Sequence, residues 1–118
     1  MNELLRNPAR AGQFYPGSKN TLFSKLDSLI PKNVDPKTVI AAIMPHAGYM
    51  YSGYVAGEVV AHIDVPDLVC ILAPNHTGVG EEIAVWPEGK WLLPGMEVPV
   101  NKEVVDMLLD ASTLIKPD

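Results

Sequence analysis

Two uncharged apolar runs stand out in the hydrophobic pattern of this chain, and each ends at a proline with a histidine close behind it. Residues 39–44 are followed by His46, and residues 68–73 are followed by Asn75 and His76. Short runs rich in β-branched residues are typical of strands buried on both faces, and proline ends such a strand because it lacks a backbone donor. The pattern therefore predicts two buried strands, Val39–Met44 and Leu68–Ala73, each delivering a histidine just beyond its carboxyl end.

The segment between the two runs is long enough to connect them as parallel neighbours. It holds the 23 residues from Pro45 to Asp67, and a parallel crossover needs about a dozen. Its apolar stripe predicts a helix that Ser52 caps and that ends near His62, which completes a right-handed βαβ unit. Both histidines then leave the carboxyl edge of one sheet, where ligands bind in open α/β folds. We therefore expect a shared metal ion or a shared anionic substrate at this edge.

The rest of the pattern predicts flanking elements for this unit. They are a helix from Ser18 or Asn20 to about Leu29, a short hairpin of Ile83–Trp86 and Lys90–Leu93 around the turn at residues 87–89, and a helix over about Lys102–Ala111. The fold class predicted from these elements is α/β, a mainly parallel sheet with flanking helices. Two central strands and a hairpin make a small sheet for three helices, so the sequence is expected to be an incomplete domain.

Composition indicates which partners the protein is expected to lack and in which cellular compartment it is expected. Nine Lys and Arg against fourteen Asp and Glu give a net charge of −5, and the absence of a basic stripe disfavours nucleic-acid binding. No apolar run approaches the roughly 20 residues that cross a bilayer, and the amino terminus lacks the apolar core of a signal peptide. We therefore expect a cytoplasmic protein with no membrane partner. The single cysteine, Cys70, is expected to be a small buried residue of the second strand.

His46 and His76 are the first candidates for chemistry. Neutral imidazole is a common ligand of divalent metals, and ends of adjacent strands can bring two rings to one ion. The alternative is that each histidine only hydrogen-bonds to loop backbone. Glu81 or Glu82 would complete a two-histidine, one-carboxylate set of the kind that non-haem iron oxygenases use, or would form a solvated acidic loop.

For other polar residues of the two loops, the sequence leaves two roles open: contact with a ligand or support of the local structure. Asn75 either holds a substrate oxygen or caps its turn. Tyr49, Tyr51 and Tyr54 either orient a substrate or pack under the first loop. His62 is expected on the surface of a helix, away from both loops.

Three segments, taken in order, resemble the Memo family. They are Arg6–Pro16 (RNPARAGQFYP), Pro45–Gly53 (PHAGYMYSG) and Ala73–Gly78 (APNHTG). The resemblance covers almost all of the chain and only the amino-terminal part of the family domain, so residues 1–118 are expected to be the amino-terminal portion of a single Memo-like domain.

The resemblance implies a fold similar to class III extradiol dioxygenases and a metal pocket of two histidines and a cysteine. The two histidines correspond to His46 and His76, whereas the family cysteine lies in the later half and Cys70 does not match it. Phe14 and Tyr51 fall where the family places aromatic residues lining the pocket. Bacterial and archaeal members are grouped with a radical SAM protein, as protein B of the AmmeMemoRadiSam system, and the animal protein resembles a phosphotyrosine-motif adaptor.

The chain departs from many family members at two places. It reads WLLPGM over residues 91–96, where they have a WxTPLG stretch, and it has Asn101 in place of an aspartate. These departures concern the hairpin and not the pocket residues.

Two functions follow, and the residues leave open whether the chain is an enzyme. In the first, His46 and His76 hold iron or another divalent metal for oxidoreductase chemistry, with Phe14, Tyr51 and Asn75 contacting a small-molecule substrate. In the second, the same pocket is a non-catalytic module that binds an anionic or phosphorylated ligand. An incomplete sheet would also expose an edge, which favours self-association.

Overall fold

The computed structural model describes residues 2–118 as two compact units of a mixed α/β chain with three helices. The central unit comprises residues 8–69 and 94–96, and the terminal unit comprises residues 2–7, 70–93 and 97–118. In chain order the elements are β1 (Leu5–Arg6), α1 (Lys19–Leu29), α2 (Tyr49–Ala61), β2 (Ala84–Val85), β3 (Lys90–Leu93), β4 (Met96–Pro99), α3 (Lys102–Ala111) and β5 (Lys116–Pro117).

Two helices form where their local signals predict them. The hydroxyl of Ser18 accepts a hydrogen bond from the amide of Thr21 at the start of α1, and the side chain of Asn101 accepts one from the amide of Val104 at the start of α3. Each bond satisfies an amide that the first turn of a helix leaves without a partner. The predicted bounds of α1 and α3 are confirmed.

The central unit is built on the contact of α1 with α2. Gly53 and Gly57 lie one turn apart on α2, are both buried, and face Leu29 at the end of α1. A Cβ atom at Gly57 would meet the carbonyl oxygen of Leu29, so only a glycine lets the two backbones approach this closely. Leu29 and Leu22 are themselves buried and form the apolar core of this unit.

Parallel pairing is present in the terminal unit, in strands other than the predicted ones. β1 pairs with β3 in parallel, with Arg6 opposite Trp91, and β2 pairs with β5 in parallel. The guanidinium carbon of Arg6 lies 4.9 Å from the ring centroid of Trp91 and 5.5 Å from that of Trp86, within the range of cation–π attraction. Parallel strand pairs together with three helices confirm the predicted α/β class.

The runs Val39–Met44 and Leu68–Ala73 do not form strands, and this corrects the predicted βαβ unit. Within residues 2–118 neither run is assigned to a strand, and their large side chains are exposed. A strand exists only through its ladder to a neighbour, and the apolar composition of one run does not establish that a neighbour pairs with it. Cys70, expected to be buried inside the second strand, is exposed for the same reason.

The predicted hairpin is also wrong, because its two segments, Ile83–Trp86 and Lys90–Leu93, do not pair with each other. β2 pairs with β5, while β3 lies between β1 and β4 in a three-stranded sheet. The connection from β3 to β4 is Pro94–Gly95, and Gly95 has a φ of +83°. Proline followed by a glycine with positive φ is the signature of a type II turn, so the hairpin turns here and not at residues 87–89.

The start of α2 lies four residues before the predicted one. Gly48 is its N-cap, and Ser52, instead of capping the helix, donates its hydroxyl hydrogen to the carbonyl oxygen of Ala47 at 3.1 Å. Among residues 2–118, no helix is both long and apolar enough to cross a membrane.

Candidate functional site

The first turn of α2 is tied to the loop that carries Phe14. The amide of Tyr49 donates to the carbonyl oxygen of Phe14 at 2.8 Å, which satisfies one of the amides exposed at a helix start. A Cβ atom at Gly48 would lie 3.5 Å from that same oxygen, at ordinary contact distance. Two sequence motifs, one around Phe14 and one around Tyr49, therefore meet in the central unit.

This junction forms a cleft of about 420 Å³. Phe14 and Tyr51, both proposed from the sequence as ligand contacts, line it from opposite motifs, and they are 46% and 83% exposed. The full lining is Gln13, Phe14, Ala47, Gly48, Tyr49, Met50 and Tyr51. An apolar, aromatic lining with a few polar groups is typical of a small-molecule site.

A cation that the sequence reasoning missed lies beside the cleft. The guanidinium carbon of Arg10 is 5.3 Å from the ring centroid of Phe14, and its Nη1 donates to Oε1 of Gln13 at 3.4 Å. Arg10 and Gln13 lie in the same motif as Phe14, so their proximity in sequence was the available signal. Their arrangement places a fixed positive charge next to an aromatic wall.

Tyr49 is a phenol of the cleft whose ring lies beside that of Tyr15. Its ring centroid lies 5.9 Å from that of Tyr15, and burial, together with the repulsion between two phenolates, raises the pKa of Tyr49 above its usual value. At neutral pH its hydroxyl keeps its proton, as an ordinary phenol does, and is available as a donor.

His46 is positioned by the segment that leads into the cleft. It is exposed and immediately precedes Ala47, a lining residue whose carbonyl oxygen is held by Ser52. The predicted metal role of His46 stays a prediction.

His76 belongs to the terminal unit, in a loop that the side chain of Asn75 organises. Oδ1 of Asn75 accepts from the amides of Thr77 and Gly78, at 3.2 and 2.9 Å, and its Nδ2 donates to the carbonyl oxygen of Val79 at 3.1 Å. Asn75 thus has the turn-capping role that was one of its two alternatives, and its contact with a substrate stays a prediction. His76 is exposed at the centre of this turn.

The remaining candidates for a metal ligand set, Glu81 and Glu82, are exposed. Glu81 donates its amide to Oδ2 of Asp118 at 2.9 Å, and both Glu81 and Glu82 are exposed. Over residues 2–118, no three side chains of His, Cys, Asp or Glu come together as a metal site. His62 caps the carboxyl end of α2, with Nδ1 lying 2.7 Å from the carbonyl oxygen of Glu58, on an exposed helix end as expected.

Comparison with known proteins agrees with the resemblance carried by the three motifs. The family model described as Memo-like protein matches residues 6–118. The chain is 40% identical to the MEMO1 family protein of Thermotoga neapolitana, over 98% of this chain and 47% of that relative. It is 38% identical to the MEMO1 family protein of Aeropyrum pernix, over 97% of this chain and 46% of that relative.

A third relative shows the same proportions. The MEMO1 family protein of Thermococcus onnurineus is 37% identical over 98% of this chain and 41% of its own length. The chain thus spans about half the length of the curated relatives it matches, and no solved structure matches it. With a family model covering nearly every residue, the chain belongs to the Memo-like family.

Proposed function

We propose that this chain supplies His46 and His76 to a divalent-metal site, with iron among the candidate metals, and that the adjoining cleft binds the organic ligand. One observation carries the proposal: Phe14 and Tyr51 line a single cleft, and that cleft includes Ala47, the residue next to His46. A ligand held against these rings would occupy a cleft whose lining includes the residue next to His46. The rings exclude water from one face of the ligand and fix its orientation.

The donor chemistry fits a borderline divalent ion and is incomplete in this chain. Imidazole suits iron, zinc and copper, and residues 2–118 contain no cluster of three ligating side chains. Two histidines therefore need a further ligand, from water, from a nearby carboxylate or from another polypeptide. When bound, such a metal would polarise an oxygen of the ligand or exchange electrons with it.

The residues of the cleft have separate tasks in this proposal. The phenol of Tyr49, which like an ordinary phenol is protonated at neutral pH, donates a hydrogen bond to a ligand oxygen. Phe14 and Tyr51 supply the flat walls, and Gln13 supplies a polar group at the rim.

Metal titration of the purified chain tests the first part of the proposal. Iron(II) and zinc(II) binding is measured by calorimetry for the wild type, His46→Ala, His76→Ala and the matched control His62→Ala. Loss of a direct ligand is expected to weaken binding by more than about tenfold, since even outer-shell partners contribute that much. Affinity that is the same in all four proteins would contradict a metal role for His46 and His76.

A second function, binding of an anionic or phosphorylated ligand without a metal, is favoured by Arg10. Its guanidinium lies over Phe14 and bonds to Gln13 of the cleft, and guanidinium is well suited to carboxylate and phosphate. An aromatic ring in the cleft would leave its anionic substituent near Arg10.

Phenyl phosphate in the presence of a chelator separates the two functions. Binding that survives the chelator and is lost in Arg10→Met, with Lys32→Met as an exposed control, supports the anion-binding module. Binding that requires added metal and is lost in His46→Ala supports the metal site. If neither arm shows binding, the cleft is not a site for aromatic anions.

A further inference from the structure

Arg6, in the terminal unit, lies against both tryptophans of the chain. Its guanidinium carbon is 4.9 Å from the ring centroid of Trp91 and 5.5 Å from that of Trp86. The ladder between β1 and β3 fixes this arrangement, because Arg6 is the register partner of Trp91. The backbone and the two rings therefore hold the guanidinium in place before any ligand arrives, which lowers the entropy lost on binding.

The sheet separates Arg6 from the carboxylates of the neighbouring strands. Side chains alternate between the two faces of a strand, so Arg6 and Trp91 share one face and Lys90 belongs to the other. Nζ of Lys90 lies 3.5 Å from Oε2 of Glu3 and 2.9 Å from Oε2 of Glu97, so both carboxylates are already paired. Among residues 2–118, the side chain of Arg6 has no hydrogen-bond acceptor and no ion pair.

A second donor of the same cluster also lacks an acceptor. Nε1 of Trp86 is shielded from solvent and makes no hydrogen bond with any described residue, although it belongs to a ring that contacts Arg6. A buried N–H without an acceptor costs free energy, which a ligand oxygen would recover. The cluster therefore holds two donors, a guanidinium and an indole N–H, and the described residues offer neither of them an oxygen.

We propose that the cluster of Arg6, Trp86 and Trp91 is a docking point for a partner polypeptide that brings a single carboxylate flanked by apolar side chains. A guanidinium binds a carboxylate through two parallel hydrogen bonds. Arginine and tryptophan are also the residue types that most often dominate protein–protein contacts. Arg6 is exposed and Trp91 is 42% exposed, so a partner can reach both.

The charge of the chain favours a partner with one carboxylate. The net charge is −5, so a run of acidic residues or a doubly charged phosphate would be repelled as it approached, whereas one carboxylate matches one guanidinium. A small free carboxylate would gain only the contact with Arg6. A polypeptide would also cover the exposed ring of Trp91 with its apolar side chains.

Titration with short peptides, followed by the NMR signals of the two indole N–H groups, tests the proposal. The probes are acetylated, amidated tripeptides of sequence LEL, LQL, EEE and L(pS)L, where pS is phosphoserine. We expect LEL to shift the indole signals saturably and to bind at least about tenfold more tightly than neutral LQL, because hydrogen bonds between charged groups are the stronger ones. The acidic and phosphorylated peptides should bind no more tightly than LEL.

Two substitutions at Arg6 locate the contact. Arg6→Met, which removes the charge, is expected to weaken LEL binding by at least about tenfold, and Arg6→Lys, which keeps the charge and loses the planar fork, should weaken it less. Lys116→Met is the matched control and should leave binding unchanged, since Lys116 is also an exposed cation in a two-residue strand of the terminal unit. The amide of Lys90, which donates to the carbonyl oxygen of Leu4 at 2.9 Å, reports whether β1 stays paired in each variant.

Any of four results would overturn the proposal. The first is no saturable shift with LEL, or equal binding of LEL and LQL by the wild-type chain, a comparison that does not depend on the variants. The second is equal binding of LEL by the wild type and Arg6→Met. The third is tighter binding of the acidic or the phosphorylated peptide, which would identify a different anion as the ligand. The fourth is movement of the indole signals with protein concentration alone, which would identify a second copy of the chain as the occupant.

Discussion

The amide of Tyr49 donates to the carbonyl oxygen of Phe14 at 2.8 Å, and this single bond joins the start of α2 to the loop that lines the candidate cleft. It explains why the helix begins at Tyr49: the bond gives a partner to an amide that a first turn leaves open. The cleft is therefore formed by the same contact that holds the first turn of α2 in place.

Replacement of Gly57 by alanine is expected to destabilise the chain by about 1–3 kcal/mol, the usual cost of overpacking. The new methyl group would meet the Leu29 carbonyl, and this contact outweighs the roughly 1 kcal/mol that alanine gains over glycine in a helix. Urea denaturation measures the change. Gly53→Ala is the matched control and should cost less, because its methyl group would meet the mobile end of the Leu29 side chain, at 2.9 Å from Cδ1. A Gly57→Ala variant more stable than Gly53→Ala would contradict the packing described.

The stability of the chain is expected to fall as the pH rises above 10, in part because of Tyr49. Its folded pKa is raised above the ordinary 10.0, first by burial and then by Tyr15, so the folded state holds a proton that the unfolded state releases. The contribution of Tyr49 to stability is fully present below the unfolded pKa and is lost as the pH rises through the folded pKa. Unfolding measured between pH 9 and 12 for the wild type and Tyr49→Phe checks this. A decline of the same steepness in both proteins would rule out Tyr49 as its source.

Asn75→Ala is expected to loosen the loop that carries His76. The change removes the acceptor for the amides of Thr77 and Gly78, and those amides should exchange faster with solvent. Asn75→Asp keeps the acceptor oxygen and should preserve their protection, although it loses the bond to Val79. Equal exchange in the alanine and aspartate variants would show that the side chain does not organise this turn.

Asn101→Ala is expected to cost about 0.5–2 kcal/mol, the usual value of an N-cap. The amide of Val104 loses its acceptor at the start of α3. Asn101→Asp keeps the cap and adds a negative charge at the helix start, so it should be as stable or slightly more stable. Thermal unfolding of the three proteins gives the order, and an aspartate variant as weak as the alanine one would exclude capping as the role of this position.

Features with a local cause could be predicted from the sequence, and features with a distant cause could not. Ser18 and Asn101 mark their helices because each bonds to an amide three residues away. The start of α2 was missed because Phe14, which holds it, lies 35 positions earlier in the chain. The two apolar runs were predicted as strands from their uncharged, β-branched composition and the proline that follows each, and a ladder needs a pairing partner that composition does not reveal.

The residues of the candidate site also differ in whether the sequence could indicate them. The motifs indicated Phe14 and Tyr51, and the structure brings both to one cleft. Arg10 was missed because its position over Phe14 depends on how the loop folds back on itself. The turn capped by Asn75 was one of the alternatives given by its sequence, since an asparagine side chain commonly bonds to amides two and three residues ahead.

The distribution of aromatic residues between the two units gives each its own optical signal. Both tryptophans, Trp86 and Trp91, lie in the terminal unit, and all four tyrosines, at positions 15, 49, 51 and 54, lie in the central unit. Tryptophan emission therefore reports on the sheet around Arg6, whereas tyrosine absorbance reports on α2 and the cleft. Coincident transitions would mean that the units unfold as one cooperative body, and separate transitions would assign a stability to each without any engineered label.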